Sequence, residues 1–246
     1  AWDIVGPLRG EVGAFKIGLE AMSAEVAHEI AKTLIAEGEN VFWDGKWSDI
    51  PNTSEGAMKA LRESLGGDPW AVNVHANSGP KSIEAVVNNR GNSLVFAVTV
   101  LTSITDQVSL DIYGCNALDA VFRLMQVAAK AGVQGLICSP KEANVLHGYL
   151  RSRKNDISLI TPGVRPLGSD VNDQARPATP QEAISFGADY LVIGRPITGA
   201  SNTVSAARAI AAEIQQGLES KVIDDELEDE VAAGKRNLLW EDRFGE

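Results

Sequence analysis

The chain has 246 residues, 44% of them hydrophobic, which suits one large core or two smaller ones. Its formal net charge of −11 argues against nonspecific nucleic-acid binding, which needs a basic face, although a few converging cations would still hold a small anion. Two cysteines outside any CxxC pattern, Cys115 and Cys138, and the lack of a membrane-spanning apolar run or signal-like leader predict a cytoplasmic protein with no thiolate zinc site and no membrane partner.

Short runs rich in Val, Ile and Phe alternate with amphipathic stretches along most of the chain. The segment Trp2–Leu8 is typical of the end of a helix. The predicted strands are Ala14–Gly18, Asn40–Asp44, Trp70–His75, Leu94–Val100, Gly135–Cys138, Ser158–Ile160 and Tyr190–Ile193. The predicted helices are Ala24–Glu37, Ser54–Leu65, Ala117–Ala131, Lys141–Arg151, Thr179–Phe186 and an Ala-rich helix from about Thr203 to Leu218.

Alternation of strands with helices predicts right-handed βαβ units and a parallel sheet. Seven predicted strands are one short of a closed (β/α)8 barrel, so we expect a TIM barrel over residues 1–219 whose first strand is missing from this sequence. A doubly wound open sheet is the alternative, but no GxGxxG loop follows an early strand. Residues 220–246, with the acidic run Asp224–Glu230, are predicted to form an acidic C-terminal tail.

Charged residues follow the first two predicted strands. Side chains alternate along a strand, so Asp44 and Lys46 share the inward face, and Lys16 has the same position on the strand before. Asp49 comes shortly after, which predicts a row of two cations and two anions at the barrel mouth rather than separate surface salt bridges. Interleaved lysines repel a metal cation, so no metal is expected here. His75, at the next strand end, is interpreted as a hydrogen-bonded positioning residue rather than a catalytic base.

A second group of residues follows the last two predicted strands, where barrels commonly bind phosphate. Arg165 and Arg195 offer planar guanidinium groups to an oxyanion, and Gly194 allows backbone N–H groups to come close. Gln174 adds a neutral donor within a Gly- and Pro-containing stretch, 163–174, that is predicted to close over a ligand. The alternative is an ordinary turn with two exposed arginines.

These motifs, taken in order from Ala14 to about Val204, resemble those of the orotidine 5′-phosphate decarboxylase family. The resemblance rests on Phe15-Lys16-Ile-Gly-Leu-Glu20, Asp44-x-Lys46-x-x-Asp49-Ile-Pro-Asn-Thr53, Val72-Asn-Val-His75-Ala, Val98-Thr-Val-Leu-Thr102-Ser, Thr161-Pro-Gly-Val-Arg165-Pro, Asp173-Gln174-x-Arg176 and Gly194-Arg195-Pro-Ile-Thr198. The DxKxxD motif alone also occurs in sugar-phosphate relatives. The full series in this order is specific to the decarboxylases.

The resemblance implies decarboxylation of orotidine 5′-phosphate to uridine 5′-phosphate in pyrimidine biosynthesis, without cofactor or metal, by a homodimer with shared active sites. It implies that Lys46 protonates C6 of the pyrimidine and that Lys16, Asp44 and Asp49 complete the charged row. The implied ligand contacts are Ile50 and Thr53, which with Asp49 reach the partner subunit's site, then Thr102, and then the phosphate-holding residues Arg165, Gln174, Gly194 and Arg195.

Two other functions fit parts of the sequence. One is a Mg²⁺-dependent sugar-phosphate enzyme with the same DxKxxD row, such as a hexulose-phosphate synthase or a keto-gulonate-phosphate decarboxylase. The Ile-Pro-Asn-Thr run and the Asp-Gln-x-Arg segment speak against it. The other is a noncatalytic phosphate-binding barrel. Family members begin with a strand that ends in a ribose-binding aspartate, and no such strand precedes Trp2 here. Either the sequence is a fragment or the strand was lost, and a lost strand would leave an open seam in the barrel.

Overall fold

The computed structural model describes residues 2–24, 26–166 and 178–232, with side chains described up to Lys221. Seven parallel strands in this part of the chain form one sheet, in sequence order, with β1 and β7 at its edges. Their bounds are β1 (Phe15–Gly18), β2 (Val41–Trp47), β3 (Ala71–His75), β4 (Leu94–Val98), β5 (Gly135–Ile137), β6 (Ser158–Pro162) and β7 (Tyr190–Val192). The expected alternation of parallel strands and helices is confirmed.

The sheet curls into a nearly closed (β/α)8-type barrel. Phe42, Phe96 and Ile160, from β2, β4 and β6, meet in one apolar cluster inside the sheet, which a flat sheet would not allow. Tyr190 at the start of β7 packs edge-on against Trp70, which immediately precedes β3, with ring centroids 5.3 Å apart. Strands that are distant in the sheet therefore face one another across a filled interior, as in a TIM barrel. The seven strands agree with a barrel that lacks one strand.

Helices cover the outside of the sheet. Their bounds are α1 (Trp2–Leu8), α2 (Leu19–Met22), α3 (Ala27–Ala36), α4 (Pro51–Leu65), α5 (Pro80–Asn89), α6 (Asp106–Tyr113), α7 (Ala117–Lys130), α8 (Pro140–Ser152), α9 (Pro180–Ser185), α10 (Arg195–Thr198) and α11 (Thr203–Ala232). Four of them begin with proline, whose fixed φ suits the first helical position. Both α5 and α6 were absent from the sequence prediction. None of the described helices is long and apolar enough to cross a membrane.

The predicted end of the last helix at Leu218 was wrong, because α11 continues to Ala232. Gly217 lies inside this helix as a packing residue. A Cβ at this position would come 2.6 Å from the backbone oxygen of Gln181 on α9. The glycine therefore allows α11 to lie close against α9, and the Glu-rich sequence beyond it has adequate helix propensity to continue.

Strand alternation also separates two apolar layers. Trp43 points outward into the layer between sheet and helices, where its ring packs at a tilt against that of His28 on α3. The neighbouring Phe42 points into the barrel. The inward direction assigned to this face of β2 is therefore confirmed. Beside the open edge, Leu8 of α1 packs with Ile210 of α11, so the first helix is held against the last.

Candidate active site

A buried carboxylate lies between two ammonium groups at the carboxyl ends of β1 and β2. Asp44 Oδ2 accepts a hydrogen bond from Lys16 Nζ at 2.8 Å, and its Oδ1 accepts one from Lys46 Nζ at 2.6 Å. The Asp44 side chain is 8% exposed, whereas Lys16 and Lys46 are 36% and 30% exposed. Each ammonium therefore keeps one side open to the barrel mouth. Three members of the predicted charged row are brought together.

The backbone of β2 is irregular where it carries these residues. The β2–β3 register shifts between Trp43 and Trp47, so the residues Asp44–Lys46 lie opposite the single residue Asn73. Lys46 has a φ of 49°, a left-handed conformation that non-glycine residues rarely adopt. Positions of this kind cost about 1–3 kcal/mol and persist only where the surroundings hold them. The bulge places Lys46 at the mouth of the barrel beside Asp44 instead of along a regular strand.

Gly18 makes room for the other lysine. A Cβ at position 18 would lie 2.8 Å from Lys16 Nζ, too close for the ammonium to keep its place beside Asp44. The glycine at the end of β1 therefore serves the charged row through the absence of a side chain. Alternation along β1 puts Gly18 on the same face as Lys16, but the sequence does not show this close approach.

Charge compensation governs the ionisation of Asp44. Burial is the largest single influence and opposes ionisation, but the attraction and hydrogen bonds of Lys16 and Lys46 together outweigh it. The pKa of Asp44 is therefore held below its ordinary value, and the carboxylate is charged throughout the neutral range. With two ammonium groups around one carboxylate, the row carries a net positive charge that faces the barrel mouth.

His75 lies at the end of β3, half-buried and close to this row. Burial lowers the pKa of its imidazole, the positive charge of Lys46 lowers it further, and Asp44 acts in the opposite direction. A neutral imidazole at pH 7 follows. It can accept or donate a hydrogen bond without adding charge, in keeping with the predicted positioning role.

The turn after β2 carries Asp49 away from the row. Among the described residues, Asp49 joins no ion pair; its Oδ1 accepts a hydrogen bond from the backbone N–H of Ile50 at 2.7 Å, and its side chain is exposed. Its backbone oxygen accepts hydrogen bonds from the hydroxyls of two buried serines, Ser82 at 2.5 Å and Ser54 at 3.3 Å. These two hydroxyls lie 2.7 Å apart. Asp49 and its neighbours Ile50 and Thr53 thus form an exposed edge on a fixed turn.

The predicted phosphate-binding residues follow β6 and β7, at the same end of the barrel as the charged row. Arg165 is buried; its Nη1 donates to the backbone oxygen of Val164 at 2.9 Å, and its Nε has no partner among the described residues. Gly194 and Arg195 are exposed at the start of α10. Because all strands are parallel, the loop after β4 that holds the half-buried Thr102 lies at this end too.

Some predicted residues lie outside the described part of the chain. They are Gln174 and its motif neighbours Asp173 and Arg176. Within the described residues, no group of three His, Cys, Asp or Glu side chains is arranged to hold a metal ion. Asn73, Ser54 and Ser82 contact the predicted residues but had no assigned role. Their signal in the sequence is polarity inside apolar stretches, such as Asn73 within Ala-Val-Asn-Val on β3.

The chain is similar to one protein family, to individual proteins and to solved structures. The family model described as orotidine 5′-phosphate decarboxylase / HUMPS family matches residues 1–210. The orotidine 5′-phosphate decarboxylase of Rhodospirillum rubrum is 41% identical over 227 residues, covering 87% of this chain and 88% of that protein. The one of Halorhodospira halophila is 42% identical over 210 residues, covering 81% and 84%. The crystal structure of orotidine 5′-phosphate decarboxylase from Lactobacillus acidophilus matches with a TM-score of 0.70 at 31% identity, covering 86% of this chain and 93% of that chain.

Proposed function

The chain belongs to the orotidine 5′-phosphate decarboxylase / HUMPS family, and on this premise we propose that it converts orotidine 5′-phosphate to uridine 5′-phosphate and CO2. The observation that carries the proposal is the Lys16–Asp44–Lys46 row at the barrel mouth. The reaction belongs to pyrimidine nucleotide biosynthesis and is assigned to the cytoplasm. No cofactor takes part in the proposed mechanism.

The chemistry requires stabilisation of a carbanion. The bond from C6 to the carboxylate breaks, its electron pair stays on C6 in the ring plane, and the π system cannot delocalise it. A fixed ammonium that faces the developing charge supplies the electrostatic stabilisation that such a step needs. Lys46 is assigned this role: its ammonium transfers a proton to C6, and the resulting amine regains a proton from solvent.

Asp44 has a different part in the proposal. Beside the substrate carboxylate it makes a like-charge contact, which at ~4 Å and an effective dielectric of about 20 amounts to about 4 kcal/mol. Large enzymatic rate effects reach about 23 kcal/mol, so this repulsion alone is far too small. Its main contribution is to hold the two ammonium groups in place, because Lys16 and Lys46 both hydrogen-bond to its carboxylate.

Phosphate binding is assigned to the loops after β6 and β7, at the same end of the barrel as the charged row. Arg165, Gly194 and Arg195 follow the last two strands, and Gln174 joins them by family resemblance. A guanidinium binds a phosphate through paired hydrogen bonds, and the helix-start glycine exposes its backbone. Binding energy from this remote group lowers the barrier at C6 if it is used to position the ring. Thr102, after β4, is assigned a contact with the nucleotide between the two regions.

A homodimer completes the proposed site. The turn with Asp49, Ile50 and Thr53 is exposed, and Ile50 is an apolar residue with 66% of its surface open to solvent. The two buried serines under Asp49 make this turn a fixed projection. We assign it to the active site of the partner subunit, where Asp49 becomes the fourth charge of the row. Within each subunit, residues 1–219 are assigned to the barrel domain and residues 220–246 to an acidic C-terminal segment, the first part of which continues helix α11.

The test is turnover of orotidine 5′-phosphate by the purified chain, followed spectrophotometrically, with and without a metal chelator. The proposal expects equal rates in both conditions and a stoichiometric yield of uridine 5′-phosphate. A chain that leaves orotidine 5′-phosphate unchanged but decarboxylates a keto-gulonate phosphate only when Mg²⁺ is present would favour the sugar-phosphate branch of the same family. A folded chain that binds uridine 5′-phosphate but releases no CO2 would identify a noncatalytic phosphate-binding barrel.

A further inference from the structure

Asn73 connects the two key residues of β2 through a single buried amide. Its side chain is 1% exposed. Its Oδ1 accepts a hydrogen bond from the backbone N–H of Lys46 at 2.7 Å, and its Nδ2 donates to Asp44 Oδ1 at 2.6 Å. One amide therefore contacts the backbone of Lys46 and the carboxylate that pairs with the Lys46 ammonium.

The first of these bonds replaces a lost sheet contact. Asn73 lies opposite the bulge at Asp44–Lys46, where the regular β2–β3 pairing is interrupted. A buried backbone N–H without a partner costs about 1–3 kcal/mol. The Asn73 carbonyl satisfies the Lys46 N–H at the residue whose φ of 49° is unfavourable for a side-chain-bearing residue. The side chain thus stabilises the left-handed backbone that places Lys46 at the mouth.

The second bond orients the carboxylate. Asp44 Oδ1 receives both Asn73 Nδ2 and Lys46 Nζ, whereas Oδ2 receives Lys16 Nζ. With three donors, the plane of the carboxylate is fixed, and so is the oxygen that each ammonium meets. Rotation of Asp44 would exchange or break these pairs. The direction of the Lys46 ammonium therefore depends on Asn73 through its backbone and through its ion-pair partner.

We propose that Asn73 is a positioning residue for proton transfer from Lys46: its amide holds the Lys46 backbone in the bulge and fixes the Asp44 carboxylate so that the ammonium is aimed at the reacting carbon. The inference rests on the proposed decarboxylase function. It differs from a purely structural role, in which Asn73 would only fill a buried polar position and its loss would lower stability without a specific effect on turnover.

Two variants separate the bonds. Asn73→Leu removes both bonds and keeps the branching and the number of side-chain heavy atoms. Asn73→Asp keeps an acceptor for the Lys46 N–H but loses the donor to Asp44 and brings a second carboxyl against it. Two adjacent carboxyls share a proton more readily than they both ionise. As the pH falls, the introduced carboxyl is therefore protonated and can again donate a hydrogen bond to Asp44. Asn89→Leu is the matched control, because it makes the same change at a half-buried asparagine whose Nδ2 donates to the Ala85 oxygen at 2.8 Å within α5, on the outside of the barrel.

Turnover, affinity and folding are measured together. For Asn73→Leu we expect kcat to fall about 100-fold, the effect of a misplacement near 1 Å, while KM and the Kd for uridine 5′-phosphate change less than about threefold. For Asn73→Asp we expect a similar loss at neutral pH that is partly recovered as the pH is lowered. Asn89→Leu should keep kcat within about threefold of the wild type.

A wild-type kcat in folded Asn73→Leu, or a loss that appears only in KM, would overturn the proposal. If Asn73→Leu does not fold, the pH profile of Asn73→Asp decides, and a profile parallel to that of the wild type contradicts the proposal. Carbon NMR titration of Asp44 gives a readout independent of turnover. Loss of the Asn73 donor should raise the pKa of Asp44. An inactive wild type with this NMR shift would refute the decarboxylase function alone, whereas an active wild type with no effect of either variant would refute the positioning role alone.

Discussion

The coupling between Lys16 and Asp44 gives a quantitative test of the charged row. The two groups are 2.8 Å apart, which at an effective dielectric of about 20 corresponds to a Coulomb energy of about 6 kcal/mol. The Lys16 side chain is 36% exposed, so solvent screens a large part of this attraction. Coupling energies between contacting residues reach at most about 3 kcal/mol, and we expect about 2 kcal/mol here.

A double-mutant cycle with Lys16→Met and Asp44→Asn, followed by urea denaturation at pH 7, measures this coupling. The control is the surface pair of Glu11 and Arg208, in which the arginine is 69% exposed; its coupling should stay below about 1 kcal/mol. Each single variant in the row should also lose most of its decarboxylase turnover. A Lys16–Asp44 coupling no larger than that of the surface pair would refute the view that the buried Asp44 carboxylate makes this ion pair stronger than a surface pair.

Three further predictions concern the surroundings of the row. Arg195→Ala should weaken the binding of uridine 5′-phosphate much more than the binding of uridine in calorimetric titrations, because it removes the proposed phosphate contact; equal losses for both ligands would exclude that role. Because the pKa of His75 is lowered in the folded protein, the unfolded chain binds a proton at this imidazole at a higher pH than the folded chain does. The unfolding free energy should therefore fall as the pH drops below about 6.5, and His75→Gln should reduce this dependence. An identical pH dependence in both proteins would contradict a lowered pKa of His75. Ser82→Ala removes a buried hydrogen bond under the Asp49 turn, so it should lower turnover while the Lys16–Asp44 coupling is unchanged; full turnover would show that the serine pair does not position the turn.

The barrel could be predicted because its signals are local. Strands such as Leu94–Val98 are short apolar runs, and strict alternation puts Phe42 on the inward face predicted for Asp44 and Trp43 on the outward face, as observed. The contact between Lys16 and Asp44 followed from the same alternation together with the parallel order of the strands. The strands and the faces of their side chains depend on residues that are close in the sequence, and the right-handed connections of parallel strands leave few ways to arrange the strands.

The details that complete the row could not be predicted in this way. The bulge at Lys46 depends on how β2 pairs with β3, and the two bonds of Asn73 exist only in that shifted register. Gly18 matters because of the place of an ammonium two residues earlier, which no propensity describes. In each case the cause is a distance between groups in the folded chain, whereas the sequence shows only that a polar or small residue is present.

Proton donation by Lys46 is tested by measuring decarboxylation of orotidine 5′-phosphate by Lys46→Ala beside the wild type. Lys59→Ala is the matched control, since this lysine is 58% exposed on α4 and pairs with Glu55 one helical turn away. We expect the wild type and Lys59→Ala to release CO2 at equal rates, and Lys46→Ala to bind uridine 5′-phosphate but to have no measurable turnover. Near-normal turnover by Lys46→Ala would contradict proton donation by Lys46.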